Sequence, residues 1–219
     1  MVSAPQAPEW IDLGLVPYAE AEAVQLARHR EVLTGGREAV FLLEHPRVIT
    51  LGRQGGRENL HAPDEWLREQ GIEVVQATRG GNITCHFPGQ LVAYPILRID
   101  RRPGGIRRFF DELEEAAVAT AAHFGVTATR DPGRPGAWVG PRKLCSIGIA
   151  VKRWTSYHGL SFNVGPDLSL FELITLCGLK GASPTSLALE TGRDIPMHEV
   201  QHVFREAFET ATHSPLAAG

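Results

Sequence analysis

The chain has few cysteines, and no two of them stand at a metal-binding spacing. Only three occur in 219 residues, at positions 85, 145 and 177. An odd and widely spaced set does not make a disulfide framework, and without a Cys-x-x-Cys pair no structural zinc site is expected. We therefore expect a reduced, cytoplasmic protein that is stable without metal or disulfide.

Long apolar runs and an excess of positive charge are missing as well. No stretch approaches the ~20 consecutive apolar residues of a membrane-spanning helix, and residues 1–10 have neither the basic start nor the apolar segment of a signal peptide. A net charge of −3 offers no clustered positive field for a phosphate backbone. We predict neither a membrane nor a nucleic-acid partner.

The order of predicted elements indicates an α+β fold. The length suits one domain over residues 1–219, with a loose tail at 1–9. Runs of strands parted by scattered helices do not follow a regular βαβ alternation. Periodicity and turn residues predict helices at 18–36, 63–71, 105–125, 166–177 and 196–211, and strands at 38–45, 48–53, 72–81, 82–99 (broken at Pro88-Gly89 and Pro95), 126–131, twice within 136–154, and 156–164.

A lysine begins one of the apolar strands. In "RKLCSIGIA" (142–150), Lys143 shares its parity with Cys145 and Ile147, so strict alternation places it on the core side. A lysine taken out of water holds its proton less tightly and is a candidate base or charge partner. The alternative is a lysine at a strand end that extends to solvent.

A cysteine lies at the end of the helix predicted over 166–177. Cys177 precedes Gly178, a plausible helix stop, so the negative end of the helix dipole would face its sulfur. A thiolate there needs a nearby cation, and Lys143 is a candidate. Such a pair suits acyl transfer through a thioester. The alternative for Cys177 is a small buried hydrophobe, which is also what we expect of Cys145.

Two glycine-bearing stretches suggest contact with a ligand. "RGGNITCHFPGQ" (79–90) combines glycines, which let a backbone approach a ligand closely, with Arg79 and His86 as polar groups. It matches neither common nucleotide-binding loop, and a simple hairpin turn is the alternative. "YHGLSFN" (157–163) adds Gly159 within a strand-like run, where glycine marks a bulge or a nearby ligand.

Taken in order, these motifs resemble a known family. "LLEHPRVITLGR", "RGGNITCHFPGQLVAYPI", "RKLCSIGI", "YHGLSFNV" with "DLSLF", and "CGL" are similar to segments of the octanoyltransferases, also called lipoyl(octanoyl) transferases. The resemblance covers roughly residues 40–180. It implies a biotin/lipoate-ligase-like (class II synthetase-like) domain, in which helices flank a mixed sheet.

The resemblance also implies an activity in lipoate biosynthesis and protein lipoylation. The family moves an octanoyl group from octanoyl-acyl carrier protein to a lysine of lipoyl domains, in 2-oxoacid dehydrogenases and in the glycine cleavage H protein, without metal or cofactor. Cys177 matches the acyl-thioester nucleophile, and Lys143 matches the lysine that lowers the pKa of that thiol. The matching substrate-binding residues are Arg79, Gly80, Gly81, Asn82, Ile83, Thr84, Cys85, His86, Ser146, Ile147, Gly148, Gly159, Leu160 and Ser161.

This chain departs from the family in one motif. Cys85-His86-Phe87-Pro88-Gly89 replaces the usual Tyr-His-Gly-Pro-Gly, which bears on the backbone and width of the pocket. Three alternatives stay open: an ATP-dependent lipoate–protein ligase, a non-catalytic module that binds acyl chains or lipoyl domains, and a metal enzyme using Cys85, His86 or His158.

Five arginines lie close together in "RIDRRPGGIRR" (98–108). The resemblance implies an acidic carrier protein as the acyl donor, so the stretch is a candidate docking patch for it. A solvated helix entry is the alternative.

Overall fold

The computed structural model describes residues 6–102, 104–176 and 181–213. The helices are α1 (Tyr18–Leu33), α2 (Asp64–Glu69), α3 (Gly105–His123), α4 (Leu187–Thr191) and α5 (Met197–His213). The strands are β1 (Glu9–Leu15), β2 (Ala39–Glu44), β3 (Val48–Leu51), β4 (Glu73–Gln76), β5 (Ile83–His86), β6 (Gln90–Ile96), β7 (Gly136–Val139), β8 (Arg142–Lys152), β9 (Thr155–Asn163) and β10 (Ser183–Pro184).

Both sheets mix parallel and antiparallel pairs. The larger one has the order β1-β2-β6-β9-β8-β10, and β7 also pairs with β8. The β1–β2 and β8–β10 pairs are parallel, and the others are antiparallel. The smaller sheet has the order β4-β3-β5. This architecture confirms the predicted α+β class. None of the helices in the described part of the chain is long and apolar enough to cross a membrane.

Helices cover both faces of the large sheet. Val40 and Leu42 of β2 pack in the cluster that contains the apolar faces of α3 and α5. The alternate residues Phe41 and Leu43 pack in a cluster with α1. Because each face is covered, β2 reads as a continuous apolar run. A separate cluster joins the small sheet and α2 to the segment 168–176.

The segment predicted as a helix over 166–177 is mostly something else. A short 3₁₀ turn spans Ser169–Leu173, and Ile174 is extended, with φ −136° and ψ 152°. Ile174 forms a bridge with Leu60, and Thr175 N donates to the carbonyl of Asn59, next to Leu60, at 2.8 Å. This tertiary pairing overrides the local helical periodicity. The prediction of a helix reaching Cys177 was therefore wrong, and Cys177 itself lies outside the described residues.

Three smaller expectations also differ from the structure. Strand β1 was not predicted, and it begins at Glu9, inside the range 1–9 expected to be a loose tail. Residues 126–131 contribute only an isolated bridge to β7. Pro95 lies within β6, where the missing N–H is tolerated because the pairing of β6 with β9 ends at Ala93.

Candidate active site

A cavity of about 910 Å³ opens beside the strands β8 and β9. Thirteen of the fourteen residues predicted to bind substrate line it: Arg79, Gly80, Gly81, Asn82, Ile83, Thr84, His86, Ser146, Ile147, Gly148, Gly159, Leu160 and Ser161. Cys85 does not line it. Side chains alternate along β5, so Thr84 and His86 face the cavity while Cys85 is buried in the apolar cluster of the small sheet.

Lys143 lines the same cavity although it lies at a strand end. Its exposed fraction is 4%, and Nζ stands 4.9 Å from the centroid of the Trp138 ring. Ala137 pairs with Cys145 and Trp138 pairs with Lys143, so Leu144 is an extra residue in β8. This bulge turns Lys143 to the cavity and leaves Leu144 and Cys145 together in the core. Strict alternation, which put Lys143 and Cys145 on one face, was wrong here.

Gly136 makes room for this arrangement. Its φ is +130°, and a Cβ built there would lie 2.0 Å from the carbonyl oxygen of Cys145 and 3.1 Å from Cε of Lys143. On the other side, the Lys143 carbonyl accepts a hydrogen bond of 2.9 Å from Thr185 N, and Pro184 pairs with Lys143. The backbone of the lysine is thus held by both neighbouring strands.

Cys145 is close to Lys143 and is nevertheless an inert thiol. It is buried in the main core cluster, and burial raises its pKa to about 12, although the charge of Lys143 acts in the opposite direction. Cys177 lies outside the described residues. Leu176, which precedes it, packs in the apolar cluster of the small sheet, and β10 follows a few residues after it.

Arg79 shapes the glycine loop. Its Nη2 donates to the Thr50 carbonyl at 2.7 Å and to Thr50 Oγ1 at 2.8 Å, and Nη1 donates to the Gly80 carbonyl at 3.1 Å. Gly80 N donates to the Ile149 carbonyl at 2.9 Å, which ties the loop to β8. A Cβ at Gly148 would lie 3.0 Å from the Gly80 carbonyl. Glycine at 148 therefore allows loop and strand to meet.

A buried cluster of aromatic and histidine side chains lies behind the cavity, and the sequence did not reveal it. His45 Nδ1 donates to the Val16 carbonyl at 2.7 Å, and its Nε2 accepts from the Tyr94 hydroxyl at 2.8 Å. Burial lowers the pKa of His45 to about 4 and that of His158 to about 3. Both rings are therefore neutral at pH 7. An isolated histidine after the apolar run of β2 was too weak a signal.

Hydrogen bonds connect His86, on the cavity wall, to Thr185, whose N–H binds the Lys143 carbonyl. Its Nδ1 donates to Gln90 Oε1 at 2.7 Å, and Gln90 Nε2 donates to Asn163 Oδ1 at 2.9 Å. Asn163 Nδ2 in turn donates to the Thr185 carbonyl at 2.9 Å. Burial, with the neighbouring His45, keeps the pKa of His86 well below its usual value. The neutral ring, protonated on Nδ1, therefore offers Nε2 as an acceptor.

Three cavity-lining side chains bury a polar atom that has no hydrogen-bond partner among the described residues. These atoms are the Tyr18 hydroxyl, Thr84 Oγ1 and His158 Nδ1. A buried polar atom without a partner costs about 1–3 kcal/mol. A ligand that binds one of these three atoms would remove that cost. The cavity wall thus offers polar contacts among its glycines and apolar side chains.

The described residues contain no group of three or more His, Cys, Asp or Glu side chains placed to hold a metal ion. Cys85 and His86, two of the residues named in the metal-enzyme alternative, face opposite sides of β5.

Solved structures place the fold in the lipoate- and biotin-ligase class. A lipoate-protein ligase A bound with ATP superposes with a TM-score of 0.78, over 95% of this chain and 86% of the other, at 17% identity. A biotin protein ligase from Aquifex aeolicus gives a TM-score of 0.53 over 94% and 69%, at 10% identity. These likenesses confirm the predicted biotin/lipoate-ligase-like fold.

Sequence comparison narrows the class to a family. The model of the lipoyl protein ligase A/B catalytic domain matches residues 17–209, so the chain belongs to this family. A protein named octanoyltransferase from Maridesulfovibrio salexigens is 62% identical over 96% of this chain and 99% of its own length. Another, from Nitratidesulfovibrio vulgaris (strain Miyazaki F), is 60% identical over 95% and 97%. The resemblance to octanoyltransferases is confirmed.

Proposed function

We propose that the chain is an octanoyltransferase that moves an octanoyl group from octanoyl-acyl carrier protein to a lysine of a lipoyl domain. Relatives at about 60% identity over nearly the whole chain carry this name. The observation that supports it best is Lys143, which is buried at the wall of a cavity of about 910 Å³. That volume lies in the range of small-molecule pockets and is ample for an eight-carbon chain.

In the proposed reaction, the thiolate of Cys177 attacks the thioester carbonyl of the donor. A new sulfur–carbon bond forms on Cys177, and the bond to the carrier sulfur breaks. The carrier thiolate leaves and takes a proton from the Lys143 ammonium. The acceptor lysine then attacks the acyl-enzyme as a free amine, the neutral Lys143 amine takes the proton that this amine loses, and the Cys177 thiolate is restored.

The walls of the cavity suit the two ends of such a substrate. Glycines and apolar side chains along β8 and β9 leave space for the hydrocarbon chain. The Tyr18 hydroxyl and Thr84 Oγ1 can donate to a carbonyl oxygen, and His86 Nε2 can accept from an amine. The donor thioester is already activated, so the proposed reaction needs neither ATP nor a metal ion.

Intact-protein mass spectrometry tests the acyl-enzyme directly. After incubation with octanoyl-acyl carrier protein, we expect one octanoyl adduct that hydroxylamine removes and that Cys177→Ser abolishes. An adduct that survives in the Cys177→Ser variant would contradict the assignment. Full activity of Cys177→Ala that depends on ATP would favour a lipoate–protein ligase, and binding without turnover would favour a non-catalytic module.

Alkylation kinetics test the role of Lys143 separately. If its ammonium stabilises the Cys177 thiolate, replacing Lys143 with Met slows alkylation of Cys177 near pH 7, because fewer molecules carry the anion. Lys143→Arg, which keeps a positive charge, is the matched control and should retain more of the rate. An unchanged rate in Lys143→Met would reject this role.

A further inference from the structure

The turn between β8 and β9 presents a tryptophan to solvent from an unfavourable backbone conformation. Lys152 pairs with Thr155, so Arg153 and Trp154 form a two-residue turn. Their φ angles are +52° and +61°, and such turns usually carry Asn or Gly because side chains disfavour positive φ. Trp154 is nevertheless 55% exposed. Strain retained at an exposed aromatic residue points to a function.

Neighbouring segments fix the position of this turn. Ile99 N donates to the Trp154 carbonyl at 2.7 Å, and His29 Nε2 donates to the Lys152 carbonyl at 3.1 Å. The backbone that carries the Trp154 side chain is therefore held on two sides. An anchor that is already in place loses less entropy when a partner binds.

The surface around the turn is basic although the whole chain carries a charge of −3. Residues 98–108 and 152–154 contain seven Arg or Lys residues and one Asp. Arg101, Arg107 and Arg153 are exposed, and none of the three makes an ion pair with another described residue. Their charges remain available to an acidic partner.

The other arginines of the predicted docking patch are paired with acidic side chains. Arg98 pairs with Asp100. Arg102 and Arg108 both bind the buried Glu112, at 2.7 and 3.1 Å. Only part of the stretch 98–108 is therefore open to docking, and the β8–β9 turn, which the sequence did not suggest, adds to it.

This surface borders an opening of the cavity. Ile106 lines the cavity and is 40% exposed, so the cavity reaches solvent there. Arg107 follows Ile106 directly. On the strand side, Val151 lines the cavity and Lys152 follows it. A protein bound to this surface would hold a flexible thioester arm near the opening.

We propose that Arg101, Arg107, Arg153 and Trp154 form a docking surface, here called the tryptophan–arginine surface, for the acidic carrier protein that delivers the acyl thioester. This proposal rests on the proposed function. The arginines match an acidic face by charge, and the exposed indole can anchor an apolar spot within that face.

Donor kinetics with two thioesters test the surface. Octanoyl-acyl carrier protein and octanoyl-pantetheine are compared at one fixed lipoyl-domain acceptor, using Arg101→Glu/Arg153→Glu and Trp154→Ala. We expect the KM for the carrier donor to rise about tenfold, while kcat/KM for octanoyl-pantetheine stays within about twofold. Exposed residues on α2 supply the matched controls, Trp66→Ala and Arg68→Glu, which should leave both donors unaffected.

Four results would overturn the docking proposal. These are an unchanged KM for the carrier donor, an equal loss of kcat/KM with both donors, the same loss of kcat/KM in the α2 controls, and a rise in the KM for the acceptor alone. If the wild-type chain transfers octanoyl from neither donor, the proposed function fails instead.

A glycine variant separates docking from folding. Arg153→Gly/Trp154→Gly removes both side chains and relieves the positive φ angles, so we expect a higher Tm together with the raised KM for the carrier donor. A lower Tm with the same KM change would assign the effect to the fold and overturn the proposal.

Discussion

Replacing His45 should remove part of the acid sensitivity of the fold. The ring is fully buried, donates from Nδ1 to the Val16 carbonyl and accepts at Nε2 from the Tyr94 hydroxyl. Only the contact at Nε2 requires the neutral ring, because a protonated ring has no acceptor nitrogen. The folded pKa is about 4, because burial disfavours the charged form, whereas an unfolded histidine titrates near about 6.5.

The sign and size of the effect follow from these two pKa values. Between pH 6.5 and 4 the unfolded chain binds a proton that the folded chain does not, so the free energy of unfolding falls as the pH falls. At pH 5 this amounts to about 2 kcal/mol for His45 relative to pH 7.5. Any folded pKa below about 4.5 gives nearly the same figure, because the unfolded value then sets the difference.

Urea unfolding of wild type and His45→Gln at pH 7.5 and pH 5.0 measures this difference. The variant loses stability at both pH values, but its drop between them should be smaller than that of the wild type by about 2 kcal/mol. His198, exposed on α5, supplies the control His198→Gln, whose drop should equal that of the wild type. A drop in His45→Gln within about 0.5 kcal/mol of the wild-type drop would refute the reasoning.

Four further predictions concern β7, β8 and the turns that follow them. Gly136→Ala should lower the free energy of unfolding, measured with urea, by about 3 kcal/mol or more, because its Cβ would lie 2.0 Å from a carbonyl oxygen. Gly140→Ala, with φ +58° and open space around it, should cost only about 1 kcal/mol. Arg153→Gly/Trp154→Gly should raise the free energy of unfolding by about 1 kcal/mol, because the relief of two positive φ angles outweighs the entropy that glycine loses on folding. An unchanged or lower Tm would contradict this. Peptide mapping after iodoacetamide treatment at pH 8 should find Cys145 unlabelled in the folded protein and labelled after denaturation, because burial keeps its thiol protonated.

The strands that carry the site were predictable because their signals are local. The apolar runs of β8 and β9 and their bounding turns predicted both elements. The fourteen proposed binding residues came from the family resemblance, and thirteen of them line one cavity. The bulge at Leu144 was not predictable, because it arises from how β7 pairs with β8. One extra residue reverses the faces beyond it, so alternation alone predicted the wrong neighbours for Lys143.

Long-range contacts also account for the missed helix and the missed cluster. The apolar spacing of 166–177 suits a helix, but the strand-like bridge of Ile174 to Leu60 comes from a segment more than a hundred residues away. His45 and Tyr94 likewise meet only because β2 and β6 pair. Such pairings leave no trace in a short window of sequence.

The bulge in β8 also bears on which cysteine could serve as the nucleophile. Cys145 is two residues from Lys143, yet it faces the core, and burial raises the pKa of its thiol to about 12. Cys85 is buried in the apolar cluster of the small sheet and does not line the cavity. Two of the three cysteines are thus unsuited to attack a thioester beside the buried lysine. If the reaction passes through an acyl-cysteine, as we propose, Cys177 has to carry it, and single-cysteine variants would show one labelled position.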